Sequence, residues 1–193
     1  AFQLTVDGKT LKETAGIFAK ALGVNGDRGA IIDLCNTNPE GWNEDRSPEV
    51  KPENRVIYEM HYRDMTAHAS AGSSYPGKYL GMAERGTRSV EGLATGLDHL
   101  VEMGVTHVHL LPTADFGSID ESRPTNQYNW GYEPKNYNAP EGTYSTNPAD
   151  PEARIRELKT LVKAMHDAGL CVVLDVVYNH TTSTENCGFE LTV

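Results

Sequence analysis

The sequence predicts an α/β protein with a parallel sheet at its centre, from three stretches. Residues 170–178 are an apolar, β-branched run with Asp175 inside it, and near-continuous Val/Ile/Leu runs mark parallel strands covered on both faces. Residues 150–168, just before it, place Ile155, Leu158, Leu161, Val162 and Met165 on one helical face, which supplies the crossover helix that parallel pairing needs. Residues 106–111 read as a second strand behind a helical pattern of its own, so strand and helix alternate. Alternation along the last strand puts Val173, Asp175, Val177 and Asn179 on one face. An ionised carboxylate there is costly to bury alone, so Asp175 is expected to be buried against a cationic or donor partner. Asn179 and His180 fall at the strand's C-terminal end, where parallel sheets carry their sites.

The remaining elements follow in chain order. Residues 2–6 and 9–14 flank Asp7-Gly8 and read as a hairpin, and residues 29–34 read as a third short strand. Three strands are too few for a sandwich, so residues 1–35 look like the tail of a β domain. Residues 36–54 carry Pro39, Pro48 and Pro52 among polar residues without periodicity and read as a linker, with a second domain over 55–193. Residues 55–63 would be its first strand. Ser89 is placed to cap a helix over 90–103 with Leu93, Leu97, Leu100 and Val101 on one stripe, and Gly104 to end it. The stretch 112–147 is far longer than an ordinary strand-to-helix connection, which marks it as functional. Its aromatics, Tyr128, Trp130, Tyr132, Tyr137 and Tyr144, argue for order. Asp150-Pro151 opens the next helix and Gly169 closes it.

Composition narrows the function. Seventeen Lys+Arg against 27 Asp+Glu give a net charge of -10, which argues against nucleic acid or an anionic membrane as partner. No run approaches the apolar length of a membrane span, and the N-terminus lacks a signal-peptide pattern, although a targeting segment could precede it. Cys35, Cys171 and Cys187 are an odd number without C-x-x-C spacing, so neither a disulfide framework nor a zinc site is expected, and Cys171 reads as a small core residue. Lys159, Lys163, Glu152 and Arg156 read as a solvated helix face.

Three ordered motifs carry chemistry: Gly104-Val105-Thr106-His107-Val108-His109-Leu110-Leu111-Pro112, Tyr128-Asn129-Trp130-Gly131-Tyr132-Glu133-Pro134 and Asp175-Val176-Val177-Tyr178-Asn179-His180. Together they resemble glycoside hydrolase family 13, in particular its type I pullulanases, and residues 2–34 resemble the end of the β-sandwich module that precedes the barrel in those enzymes. The resemblance implies the first three βα units of a (β/α)8 barrel. It also implies retaining hydrolysis of α-1,6 linkages in branched α-glucans such as pullulan and limit dextrin. Retention needs two carboxyl groups about 5 Å apart. The family supplies them from later strands, in motifs of the type G-F-R-F-D and G-E-x-W, and none of these occurs here. This span alone is therefore expected to be inactive and to need the remaining half of the barrel, in the same chain or a second one.

By the same resemblance, Tyr132 stacks on the sugar at the non-reducing side of the cleaved bond and His180 hydrogen-bonds that sugar. Asp175 supports the site by pairing with an arginine of a later strand, and Asn179 is a supporting residue and a candidate calcium ligand. No other cofactor is implied. Trp130 and Asn129 read as loop scaffold. His107 and His109 share one side of their strand, but with no third ligand in view they read as interior packing rather than a metal pair. Rival readings are isoamylase, branching enzyme or α-amylase activity, or a non-catalytic glucan-binding protein. Periplasm, cell surface and cytoplasm are all compatible, and residues 189–193 are expected in a loop.

Overall fold

A computed structural model describes residues 3–123 and 127–185. Cys187 and the loop expected over 189–193 lie outside the described residues, as does Phe2.

Three parallel strands form the central sheet: β3 (Ile57–Met60), β4 (His107–Leu110) and β7 (Cys171–Leu174), in the order β3-β4-β7. Ile57 stands opposite His107, and His107 opposite Cys171, so the three strands run in one register. Val108 and Leu110 are fully buried and alternate with the half-buried His107 and His109, the two-residue period of a strand with unlike faces. The apolar face packs on Leu97 and Leu100 of helix α3 (Gly96–Glu102) and on Leu161 and Met165 of helix α4 (Pro151–Asp167), with Tyr62, Tyr79 and Tyr144 filling the end of the core. Tyr62 belongs to α1 (Tyr62–Thr66) and Tyr79 to α2 (Tyr79–Ala83), two short helices within the connection from β3 to α3.

Helix α4 follows the sequence closely. Asp150 caps it by accepting from the Glu152 amide at 2.9 Å, Pro151 stands in the first turn, and Gly169 leaves it with φ 81°. Helix α3 is shorter than expected. Ser89 does not cap it but closes a turn, its hydroxyl accepting from the Glu91 and Leu93 amides, and Thr95 is the N-cap residue. Leu93 is consequently 69% exposed rather than part of the buried stripe. Strand β7 also stops early, because its partner β4 ends at Leu110. The last ladder bond runs from the Asp175 amide to the Leu110 carbonyl at 3.1 Å.

The N-terminal stretch departs further from expectation. β1 (Thr5–Val6) and β2 (Lys9–Thr10) pair across Asp7 and Gly8, both at positive φ, as a two-residue hairpin turn requires. The strand expected over 29–34 is absent: Gly29 forms a single bridge with Leu22, and Leu34–Thr37 is a 3-10 turn capped by Asp33. Among the described residues no neighbouring strand offers a ladder there, and Ile31 is fully exposed. The proline-rich stretch lies along α4 instead. Arg156 donates to the Asn36 carbonyl, Lys159 to Thr37 Oγ1 and Asn38 Oδ1, both at 2.7 Å, and His166 Nδ1 lies 2.7 Å from Asp45 Oδ2. The face read as solvated is thus partly occupied, because Arg156, Lys159 and His166 bond to both backbone carbonyls and polar side chains of that segment. Buried Cys171 joins the same contact, its thiol directed to the Pro48 carbonyl.

Candidate functional site

The long stretch after β4 folds back as an antiparallel pair, β5 (Ala114–Phe116) with β6 (Pro134–Pro140). It lies over the C-terminal ends of the central strands and owes its order to Phe116 and Tyr144, both buried in the core. Gly131 turns the backbone at φ 93° where a Cβ would strike Pro112, so this position requires glycine.

That turn delivers Tyr132 to the end of β7. Its phenol donates to Asp175 Oδ2 at 2.7 Å, and its carbonyl accepts from His180 Nε2 at 2.8 Å. Burial, followed by the Asp175 hydrogen bond and charge, pushes the Tyr132 phenol up to about 12, so it is a neutral donor throughout the physiological range. The expected pair therefore meets in space, although 48 residues separate it in the chain. Asn179 stands beside it, with Oδ1 3.2 Å from His180 Nδ1.

Asp175 is less buried than expected, but it has the donor partner that its charge calls for. Its side chain is 21% exposed, and its neighbours are the Tyr132 phenol and His109 Nε2, the latter 3.8 Å away. No arginine reaches it among the described residues, because β7 has a neighbouring strand on one side only. His109 also faces Glu59 at 3.6 Å, whereas His107 turns to the Thr106 hydroxyl at 2.8 Å. The two histidines thus serve different partners.

The loop aromatics and scaffold residues named from the sequence stand around this pair, with partners that no local pattern marked. Tyr137 donates to the His180 carbonyl at 2.7 Å and lies against Tyr178, with ring centroids 5.8 Å apart. Tyr128 donates to Asp64 Oδ2 at 2.8 Å, and Asn129 braces its own turn by accepting from the Gly131 amide at 2.8 Å. Trp130, next to them, is 59% exposed. An aromatic, donor-lined rim of this kind suits a ligand with apolar faces and hydroxyl edges.

Under the loop lies a buried polar cluster of Asp115, Glu121, Glu141 and Arg154. Arg154 grips Glu121 with two bonds, at 3.1 and 2.8 Å, and approaches Asp115 at 3.6 Å. Burial first, then the Glu121 carboxylate, pushes Glu141 up to about 7, and burial and Glu141 raise Asp115 as well. Folded Glu141 thus holds its proton to about pH 7, whereas the ordinary carboxyl releases it near 4.5. Between those values the folded state binds more protons, so stability falls as pH rises through the window. The expected fall is up to about 3 kcal/mol, measured by denaturant unfolding of the whole protein at pH 5 and pH 8. Glu141→Gln should flatten the difference; an unchanged profile would place the proton elsewhere.

The α-amylase catalytic-domain model matches residues 57–191.

The chain belongs to the α-amylase catalytic-domain family.

Within the family, the chain is 44% identical over 181 residues to a pullulanase of Bacillus subtilis (strain 168), an alignment that takes in 94% of this chain and 25% of that protein. It is 36% identical over 159 residues to the chloroplastic isoamylase 3 of Oryza sativa subsp. japonica, covering 78% of this chain and 19% of that one. Among solved structures, a pullulanase from Paenibacillus barengoltzii in complex with maltohexaose and alpha-cyclodextrin superposes with a TM-score of 0.94 at 48% identity, over 98% of this chain and 30% of that chain. The chain thus spans about a quarter to a third of the pullulanases it matches.

Proposed function

We propose that this chain is part of a retaining glycoside hydrolase that cleaves α-1,6-glucosidic linkages of branched α-glucans such as pullulan and limit dextrin. The observation that carries the reading is the meeting of Tyr132 and His180 at the C-terminal end of the sheet, 2.8 Å apart, in a chain similar to pullulanases along nearly its whole length. In this reading the Tyr132 ring is the platform for an apolar sugar face. The His180 imidazole donates to a sugar hydroxyl and Asp175 holds the tyrosine in place. The nucleophile and the acid/base belong to strands outside these 193 residues, since motifs of their type do not occur in them.

The same reading makes the sheet the first three βα units of a (β/α)8 barrel. Ile57 on β3 and Leu174 on β7 are 60% and 48% exposed at the two outer strands, which fits closure by further strands from the same chain or a second one. Residues 1–35 would be the end of a β-sandwich module, and residues 36–54 its connection. Asn179 would be one oxygen of the six to eight that calcium takes; its Oδ1 lies 3.2 Å from His180 Nδ1.

The test is an assay of the whole protein on pullulan and on amylopectin, following new reducing ends. Maltotriose released from pullulan supports the reading. Cleavage of amylopectin without pullulan would move the protein toward the isoamylases, to which it is also similar. Glucan binding without cleavage would leave a non-catalytic binder.

A further inference from the structure

We propose that His61 is a positioning residue that holds the Tyr128–Tyr132 turn through a backbone carbonyl, and that it does so as a neutral imidazole of one defined tautomer. The inference rests on the reading of Tyr132 as a sugar platform, and adds to it the residue that sets the platform's place.

His61 stands at the C-terminal end of β3 and is 5% exposed. Its Nδ1 accepts from the Arg63 amide at 3.2 Å and so caps α1. An amide can only donate, so Nδ1 carries the lone pair and the proton resides on Nε2. Nε2 then donates to the Asn129 carbonyl at 3.1 Å, with the Tyr144 phenol oxygen 3.0 Å away. Burial lowers the His61 pKa, outweighing the Asn129 carbonyl and the Asp64 carboxylate that raise it. The neutral form the geometry needs is thus the form that burial favours.

The surroundings lock the ring in place. It lies edge-on to Tyr144, with centroids 5.6 Å apart, edge-on to Tyr62 at 6.3 Å, and 5.3 Å from the ring of Tyr128. Tyr128 is held in turn by Asp64 Oδ2 and lies 5.3 Å from the Arg63 guanidinium. The corner His61-Arg63-Asp64 therefore grips both Tyr128 and Asn129, while Asn129 Oδ1 accepts from Gly131, the residue before Tyr132. The chain of contacts is continuous from a buried ring to the proposed sugar-facing ring. The titratable and charged groups facing His61 are Asp64 and Arg63 of α1, with the phenols of Tyr62, Tyr128 and Tyr144. Protonation would set an N–H on Nδ1 against the Arg63 amide and release the cap.

Two substitutions separate the capping contact from the carbonyl contact. His61→Asn keeps an acceptor near Nδ1 but cannot reach Asn129, whereas His61→Gln places an amide donor near Nε2 and gives up the cap. Both are made in the whole protein. Hydrogen exchange of the peptide carrying residues 127–133 is measured together with kcat and KM on pullulan. The expected result is about tenfold faster exchange and a kcat/KM lowered about 10–10²-fold for His61→Asn, the scale for a site displaced by about an ångström. His61→Gln should stay near the parent in both. Parent-like exchange in His61→Asn, or equal losses in both variants, would overturn the assignment. If the parent itself does not turn over pullulan, the functional reading fails, and the exchange experiment still decides the role of His61.

Discussion

Arg154→Met is expected to lower the unfolding free energy of the whole protein by about 3–5 kcal/mol, the cost of leaving buried charge without its partner. Arg154 is fully buried, as are Asp115 and Glu141 to within a hundredth of their surface, and Glu121 is 7% exposed. Its guanidinium also donates to the carbonyls of Gly23, Pro140 and Pro148, so methionine would strand three acceptors together with the Glu121 carboxylate. Glu121 is committed elsewhere too, accepting from the amides of Asn25 and Gly142. A Cβ at Gly142 would collide with both Glu121 and Arg154, so the cluster leaves no room for a larger residue to relieve the loss. Arg154→Met combined with Glu121→Gln should recover part of it by removing the orphaned charge. A single variant that melts like the parent would show that the cluster is neutralised by protons rather than by the guanidinium.

His180→Ala is expected to lower kcat/KM on pullulan by about 10–10³-fold in the whole protein, the loss for a hydrogen bond that strengthens in the transition state. The imidazole lies at the surface and gives its Nε2 proton to the Tyr132 carbonyl, so a sugar hydroxyl would have to share or replace that bond. Because His180 is also held through its own carbonyl by Tyr137, truncating the side chain should leave the backbone where it is. The expected melting temperature is therefore close to the parent's. Unchanged kinetics would reduce His180 to a strut for Tyr132, and a large loss of stability would do the same.

Much of the fold was legible because its signals are local. The α4 boundaries follow from Asp150, Pro151 and Gly169, residues whose effect on a helix end needs no distant partner. The Asp7-Gly8 hairpin and the parallel order of the three main strands were legible for the same reason. The errors fell where local pattern and tertiary contact disagree. Residues 29–34 have the composition of a strand but among the described residues make only a single bridge, from Gly29 to Leu22, and Ser89 has the chemistry of a cap but spends it on a turn. Of the site, Tyr132, Asp175, Asn179 and His180 could be named through motif resemblance, whereas Tyr137 and His61 could not. Each reaches the site through a bond to a main-chain carbonyl, 43 and 68 residues away.

By itself, then, the sequence determined the alternation of β3, α3, β4, α4 and β7 and the side-chain chemistry available at the end of β7, since period, capping and turn residues act over a few positions. The tertiary structure alone decided which of those side chains meet. It brought Gly23 to Arg154 across 131 residues and Asn36 to Arg156 across 120. It turned a proline-rich stretch into a strap along α4, and it placed Arg154 among three carboxylates. Such contacts form because buried polar groups must find partners wherever the packing of the core brings them close, and no local pattern records where that will be.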